Sequence, residues 1–362
     1  MSQGALEFQD VPSGLLLDVV DLRTHFRTPA GLLKAVDGIS FSLDRGRTLG
    51  VVGESGSGKT VLTRSIMGLL PRENVVRSGE VHFAGHDLTK LTRDQLRQVW
   101  GREIAMVFQD PMTSLNPVVR IGRQITESLR HHLGMGKQEA LETAEALLAS
   151  VGIPEPRRRL REYPFQLSGG MRQRVTIAIA LSCGPRLLLA DEPTTALDVT
   201  VQAQILDLLS SQQAQRFMAM ILVTHDLGVV AGHTDEIAVM YAGKIVEKAP
   251  TPVLFSDMKM PYTEALVRSI PRLSEPGHSR LRVIPGRPPD LVRLPPGCRF
   301  APRCPYAQPR CLEEEPPLQE AGTPGHLYAC WYPVGTPEGR AALEQNLARG
   351  TTAAASAGMA AS

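Results

Sequence analysis

The sequence predicts an α/β protein built on a parallel sheet, and three observations carry that expectation. Short, wholly apolar runs recur at Thr48–Val52, Ile104–Phe108, Leu187–Ala190 and Met220–Val223. Such runs make strands buried on both faces, as in parallel sheets covered by helices. Segments with helical spacing alternate with them, the pattern of βαβ units. The first run leads directly into Gly53-Glu54-Ser55-Gly56-Ser57-Gly58-Lys59-Thr60, which fits G-x-x-x-x-G-K-[ST].

Beyond that loop, Leu62, Ile66, Leu69 and Leu70 recur at helical spacing until Pro71. Strand, glycine loop and helix start together aim backbone N–H groups at one point, and the helix dipole adds positive potential there. Gly53, Ser55, Gly56, Ser57 and Gly58 are therefore expected to cradle phosphates. Lys59 can reach the terminal phosphates, and the Thr60 hydroxyl can ligate Mg2+.

The remaining elements follow in chain order. Residues 1–14 read as a flexible leader. Leu15 to Phe26 and Leu33 to Leu43 alternate like antiparallel strands, linked by Thr28-Pro29-Ala30-Gly31. Gly79 to Leu88 reads as a hairpin around Gly85-His86-Asp87, and residues 118–165 are mostly helical in pattern. From about residue 270 prolines become frequent and apolar periodicity fades, so a loop-rich module held by something other than a large core is expected. Residues 338–348 read as one short helix, and the Ala/Ser/Thr-rich end as disordered.

Bulk properties narrow the classes. With 362 residues the chain can hold one large domain and an appendage, or two domains. A net charge of +2 gives no overall field for nucleic acid, which is not expected as a ligand. No run of eighteen apolar residues is present, so no membrane span is expected. Met1 to Asp10 lacks a basic leader and an apolar core, so a cytoplasmic protein is the default expectation.

Two further motifs carry chemistry. Leu187–Ala190 runs into Asp191-Glu192, which places two carboxylates at the C-terminal end of a buried strand, where α/β sheets bind ligands. Asp191 would hold the Mg2+ shell and Glu192 would polarise an attacking water. Ser168-Gly169-Gly170 precedes a helical stretch from Met171, and Ser168 is a good N-cap. That turn is a second anion-binding nest, more than a hundred residues from the first.

In this order, the phosphate loop at 53–60, Gln109, Ser168-Gly169-Gly170, Asp191-Glu192, Ala196-Leu197-Asp198 and His225 resemble the ATP-binding subunits of ABC transporters. The likeness spans roughly residues 15–250. It implies an ABC-type nucleotide-binding domain: a parallel-sheet core, an antiparallel β subdomain and a helical subdomain. It also implies that two subunits pair head to tail. Each ATP would lie between the phosphate loop of one and the Ser168–Gly170 turn of the other, with Asp198 at the seam. By the same likeness Gln109 senses metal and water, His225 contacts the γ-phosphate, and Phe26 stacks on adenine. One departure is Met171, where Gln usually follows the nest.

Lys259 to Leu266, Ile284-Pro285-Gly286 and Leu294 to Phe300 resemble the C-terminal extension of oligopeptide and dipeptide importer ATPases, with Met260 where His is usual. The extension is expected at 251–335, followed by the helix and tail at 336–362. Within it the cysteines run Cys298-x5-Cys304-x6-Cys311-x18-Cys330. Four thiolates can surround an iron–sulfur cluster or a zinc ion. The resemblance favours a structural [4Fe–4S] cluster, with Zn2+ or free or oxidised thiols as alternatives. Cys183 is expected as a buried inert thiol and His326 as a surface loop histidine.

The function implied is an ATPase subunit at the cytoplasmic face of the membrane. It would work with a second ATPase subunit (itself or a paralogue), two permeases and an extracytoplasmic binding protein, importing peptides. Nickel or another small solute is the alternative cargo. A soluble relative acting on DNA or ribosomes is the reading from another class, and it lacks the expected coiled-coil insertion or second cassette.

Overall fold

The computed structural model describes residue 8 and residues 14–71, 73–110, 114–195, 197–270, 284–356 and 358. Most of the expected leader, residues 271–283 and Ala196 lie outside the described residues. Two sheets organise the rest. The smaller is antiparallel, in the order β2-β1-β4-β5: β1 is Leu15–Thr28, β2 Gly31–Asp44, β4 Val75–Phe83 and β5 His86–Asp87. The larger runs β11-β12-β10-β9-β3-β8-β7-β6. Its parallel part joins β6 (Ile104–Val107), β7 (Leu187–Asp191), β8 (Ala219–Thr224), β3 (Thr48–Val52) and β9 (Glu236–Tyr241).

Two-residue periodicity explains the layering. Leu49, Val51, Leu187, Leu189, Ile221 and Val223 face the antiparallel sheet and pack with Leu17, Val36 and Phe41. Val52, Leu188, Ala190 and Leu222 point the other way, into a core shared with the helix Gly169–Leu181 and the helical region. That region comprises Ile121–Leu133, Lys137–Ser150 and the turn Pro156–Arg159, as the sequence pattern predicts. Every residue of β3, β7 and β8 is buried, which is why these strands read as unbroken apolar runs.

The C-terminal extension departs from expectation. It is not a module apart. Strand β10 (Lys244–Pro250) pairs antiparallel with β9 and then with β12 (Leu327–Tyr328), which pairs with β11 (Gln319–Glu320). The extension thus continues the core sheet, and a boundary at residue 250 cuts through one hydrogen-bonded layer. It also returns to the antiparallel sheet, where the Lys34 N–H donates to the Leu291 carbonyl at 3.1 Å. Tyr241 of β9, Tyr262 and Phe300 form a buried aromatic cluster with ring centroids 4.5–5.3 Å apart. The alanine-rich end, expected to be disordered, begins instead with a helical turn at Ala353–Ser356 whose Ala354 is buried.

A charged strap reinforces this joint. Arg299 donates to the Asp37 carboxylate of β2 at 2.5 Å and to the Ala242 carbonyl at 2.5 Å, while His25 lies 2.9 Å from the same carboxylate. Burial alone would raise the Asp37 pKa, but Arg299 and His25 outweigh it and hold the group down at about 2. A depressed carboxylate contributes stability above its ordinary value of 3.8 and loses it as pH falls.

Two outcomes are expected. Phe300→Ala should destabilise the whole chain by about 3–5 kcal/mol in one denaturant transition, because the cavity opens between core and extension. A separate, early transition of the extension would contradict the continuous sheet. The stability gap between wild type and Asp37→Asn should be about 2 kcal/mol near neutral pH and shrink as pH falls from about 4 to about 2, read by urea midpoints.

Candidate functional site

Four parallel strands end at one edge, and each delivers a chemically active residue there. β3 leads into the phosphate loop, β6 into Phe108-Gln109, β7 into Asp191-Glu192 and β8 into His225. The register sets these ends side by side: Val52 pairs with Thr224, Asp191 with Val223, and Val107 with Ala190. This is the edge at which open parallel sheets hold ligands.

Glycines shape the loop where nothing larger fits. A Cβ on Gly53 would sit 2.2 Å from the Met240 carbonyl oxygen, and one on Gly58 would sit 2.1 Å from that of Ala35. Gly58 also takes φ +104° as it caps the helix Lys59–Ile66. Lys59 is almost fully buried, and its ammonium donates to the carbonyls of Gly53 at 2.7 Å and Glu54 at 3.1 Å. Burial lowers its pKa from the ordinary value, against Glu192, Asp191 and Glu54.

The Thr60 hydroxyl donates to Asp191 Oδ1 at 3.1 Å. Asp191 Oδ2 is buried with no hydrogen-bond partner, as is Ser57 Oγ. Burial raises the Asp191 pKa, opposed by Thr60. A buried, partnerless carboxylate oxygen beside a threonine hydroxyl is the donor set that suits a hard divalent cation, so these residues fit Mg2+.

Glu192 sits in the left-handed region at φ +46°, an uncommon conformation for a residue with a side chain. Its Oε2 accepts from Gln109 Nε2 at 2.9 Å and from Thr195 Oγ1 at 2.9 Å, with His225 Nδ1 at 3.5 Å. Its Oε1 lies 3.9 Å from the Lys59 ammonium. One carboxylate oxygen is thus pinned by neutral donors while the other faces the loop lysine. Such a group can orient a water and take its proton.

The other expected residues lie elsewhere in the fold. Phe26 is half-buried on β1, between Leu33 of β2 and Val75 of β4. Ser168 caps the helix Gly169–Leu181 by accepting from the Met171 N–H at 3.3 Å. The close neighbours of its two glycines are Leu197 and Val201, and neither belongs to the phosphate loop. Asp198 caps the helix Val199–Arg216 through the Val201 N–H at 2.9 Å and is exposed. The second nest therefore lies beside Leu197 and Val201, the residues that flank Asp198 in the chain.

All four extension cysteines, Cys298, Cys304, Cys311 and Cys330, line one small cavity with Met260, Tyr306 and Trp331. None is in a disulfide. Burial pushes the Cys298 thiol up to about 12, and Cys304, Cys311 and Cys330 are also raised by burial. No three of the four sulfurs lie within 4.8 Å of one another. Around zinc, with Zn–S near 2.3 Å, tetrahedral sulfurs would stand about 3.8 Å apart.

His326 corrects an expectation. It is fully buried, its Nε2 2.9 Å from Glu247 Oε1, and Glu247 also accepts from the N–H groups of Lys259 and Met260. Sequence reasoning also missed Glu54, Tyr262, Arg299 and Arg303, whose partners lie as far as 262 residues away. No local signal marks them, because an isolated arginine in a proline-rich stretch looks solvated.

Fold and site together define a class, the ATP-binding cassette of an ABC transporter. The ABC transporter family model matches residues 36–195, and the model for the oligopeptide/dipeptide transporter C-terminal region matches residues 246–311. The oligopeptide transport ATP-binding protein OppD of Salmonella typhimurium is 49% identical over 323 residues, covering 89% of this chain and 95% of that protein. OppD of Bacillus subtilis is 50% identical over 304 residues, covering 84% and 85%. Among solved structures, the dimeric ATP-binding cassette MJ0796 in a post-hydrolysis state bound to ADP and Pi aligns with a TM-score of 0.59 at 26% identity, covering 65% of this chain and 99% of that one. The chain belongs to the oligopeptide/dipeptide branch of the ABC transporter ATP-binding subunits, and it is an ATPase.

The geometry makes one result specific. Glu192→Gln should retain ATP binding while steady-state hydrolysis falls at least ~100-fold. Normal turnover in a phosphate-release assay would remove Glu192 from its role.

Proposed function

We propose that this chain powers an ABC importer for oligopeptides or dipeptides, hydrolysing ATP between its own phosphate loop and the Ser168–Gly170 turn of a second ATPase subunit. One observation carries the reading: the strand ends bring the loop, Asp191, Glu192, Gln109 and His225 to one edge, while the Ser168–Gly170 turn has Leu197 and Val201, not the loop, as its close neighbours. A half-site and its complement on one molecule are what head-to-tail pairing needs. The partner can be a second copy or a paralogue.

The residues divide the work as follows. Backbone N–H groups of the loop and Lys59 bind the triphosphate, and Phe26 stacks on the base. Thr60, Asp191 and Gln109 would hold Mg2+, which supplies charge neutralisation at the phosphates. Glu192, braced by Gln109 and Thr195, orients the attacking water and accepts its proton. His225, more than half exposed beside Glu192, is placed to contact the γ-phosphate. Ser168, Gly169 and Gly170 supply neutral donors to the partner's γ-phosphate, and Asp198 lies at the seam. Closure on ATP and reopening after hydrolysis form the stroke.

The stroke has a surface through which it can pass. A groove of about 280 Å³ between the helical region and the core is lined by Met67, Leu69, Trp100, Met106, Phe108 and Ile179, next to Gln109. A permease segment seated there would feel any shift of Gln109. No helix among the described residues is long and apolar enough to cross a membrane, which fits a peripheral subunit on the cytoplasmic face. In the extension, Cys298, Cys304, Cys311 and Cys330 would hold a [4Fe–4S] cluster, a structural staple for a proline-rich segment. What supports a metal centre here is that all four cysteines line one cavity and none is in a disulfide.

Co-expression with the permeases should yield a complex whose ATPase rate rises when peptide-loaded binding protein is added. Stimulation by nickel and not by peptide would replace the cargo. Anaerobically purified protein should be brown, with about four irons and four sulfides per chain. A colourless, zinc-loaded preparation would end the cluster assignment.

A further inference from the structure

The extension holds the phosphate loop by a residue that no part of the catalytic edge requires. Glu54 fills a position of the loop motif that any residue can occupy, yet it is gripped at its side chain and its backbone. Arg303 donates to both its carboxylate oxygens, at 2.6 and 2.9 Å. The Tyr262 hydroxyl accepts from its N–H at 2.9 Å. Its carbonyl accepts from the Lys59 ammonium at 3.1 Å. Any displacement of Glu54 therefore moves an atom to which the phosphate-binding lysine is bonded.

Arg303 is itself held firmly. Its side chain is 1% exposed, its Nε donates to the Pro285 carbonyl at 2.9 Å, and its guanidinium packs on Tyr241 and Phe300. A planar fork bound in two places fixes its target far better than a flexible ammonium could. It also adjoins Cys304 in the chain, and Arg299, which straps Asp37 and Ala242, adjoins Cys298. The two arginines grip either flank of the loop. One holds Glu54, and the other holds the Asp37 carboxylate of β2 and the Ala242 carbonyl just after β9, the two strands whose Ala35 and Met240 carbonyls pack on Gly58 and Gly53.

We propose that Arg303 is a positioning residue for nucleotide binding: it sets the phosphate loop through Glu54, and so ties ATP affinity to the fold of the four-cysteine extension. The proposal rests on the ATPase reading of the site. It differs from simple stabilisation in one respect. A clamp that only stabilises would lower the melting temperature of its variants and leave the ATP affinity of the folded fraction unchanged.

The test is ATP titration and steady-state kinetics on the full chain for wild type, Arg303→Gln, Arg303→Lys, Glu54→Gln and the Arg303→Gln/Glu54→Gln double variant, with thermal midpoints recorded without nucleotide. Arg303→Gln should weaken ATP binding about tenfold and raise KM by a similar factor, while kcat at saturating ATP changes less than about threefold, since Glu192, Gln109 and His225 are untouched. Arg303→Lys should recover part of the affinity. In the Glu54→Gln background, Arg303→Gln should add little, because the two act as one unit. Unchanged affinity in folded Arg303→Gln, or strictly additive losses, would overturn the proposal. Should Arg303→Gln not fold, Glu54→Gln alone decides, because it keeps the side-chain shape and removes only the charge under the fork; wild-type affinity there overturns the proposal too. Wild type that binds no ATP would instead strike the ATPase reading.

Discussion

The parallel register of β6, β7, β8 and β3 is the constraint on which the site depends. Parallel pairing puts the carboxyl ends of these strands at one edge, and each carries an expected site residue at or just past its end. Residues as distant as Thr60 and Asp191 thereby come within a hydrogen bond of each other. A slip of one residue in β7 would turn Asp191 to the other face and break its hydrogen bond with Thr60, so the chemistry depends on a register that an all-apolar strand does not fix by pattern alone.

That edge is electrostatically expensive by itself. Burial lowers the pKa of Lys59 and raises that of Asp191, so each charged form is disfavoured where it stands. The two shifts have opposite sign and complementary cures. A polyanion relieves the lysine and a divalent cation relieves the aspartate, and neither relieves both. A magnesium nucleotide would bring both charges at once, so one composite ligand suits a pocket whose own groups offset each other only in part. Glu192 takes part through its Oε1, 3.9 Å from the Lys59 ammonium. Its Oε2 is anchored by the Gln109 amide and the Thr195 hydroxyl.

Much of this was legible in the sequence because it is local. The phosphate loop, the Asp191-Glu192 pair and the capped turn at Ser168 each occupy a few consecutive residues with a strong backbone requirement. Apolar runs marked the strands for the same reason. What stayed hidden is long-range and polar. The Arg303–Glu54 pair joins residues 249 apart, and the Glu247–His326 pair brings a strand residue and a loop residue together in a fully buried position. Nothing in the spacing of His326 distinguishes a solvated histidine from one paired with a buried carboxylate. β11 and β12, two residues each, are too short to show alternation at all.

These hidden pairs change what the extension is. Proline-rich composition suggests an appendage stapled by its cysteines, and appendages are dispensable to the sheet they hang from. Here the chain after residue 250 completes the sheet edge through β12, fills the aromatic cluster with Phe300, and sends arginines from beside two cysteines into the flanks of the phosphate loop. Glu247 is the hinge of this arrangement: it lies in β10, accepts the N–H groups that begin the helix Pro261–Ser269, and pairs with His326 of the extension. That helix in turn carries Tyr262, whose hydroxyl receives the Glu54 N–H. Removing either partner of a buried pair leaves an uncompensated group in a low-dielectric interior, so such contacts resist gradual loosening. The extension and the loop are therefore better described as one polar framework with two ends, one lined by thiols and the other by phosphate-binding amides.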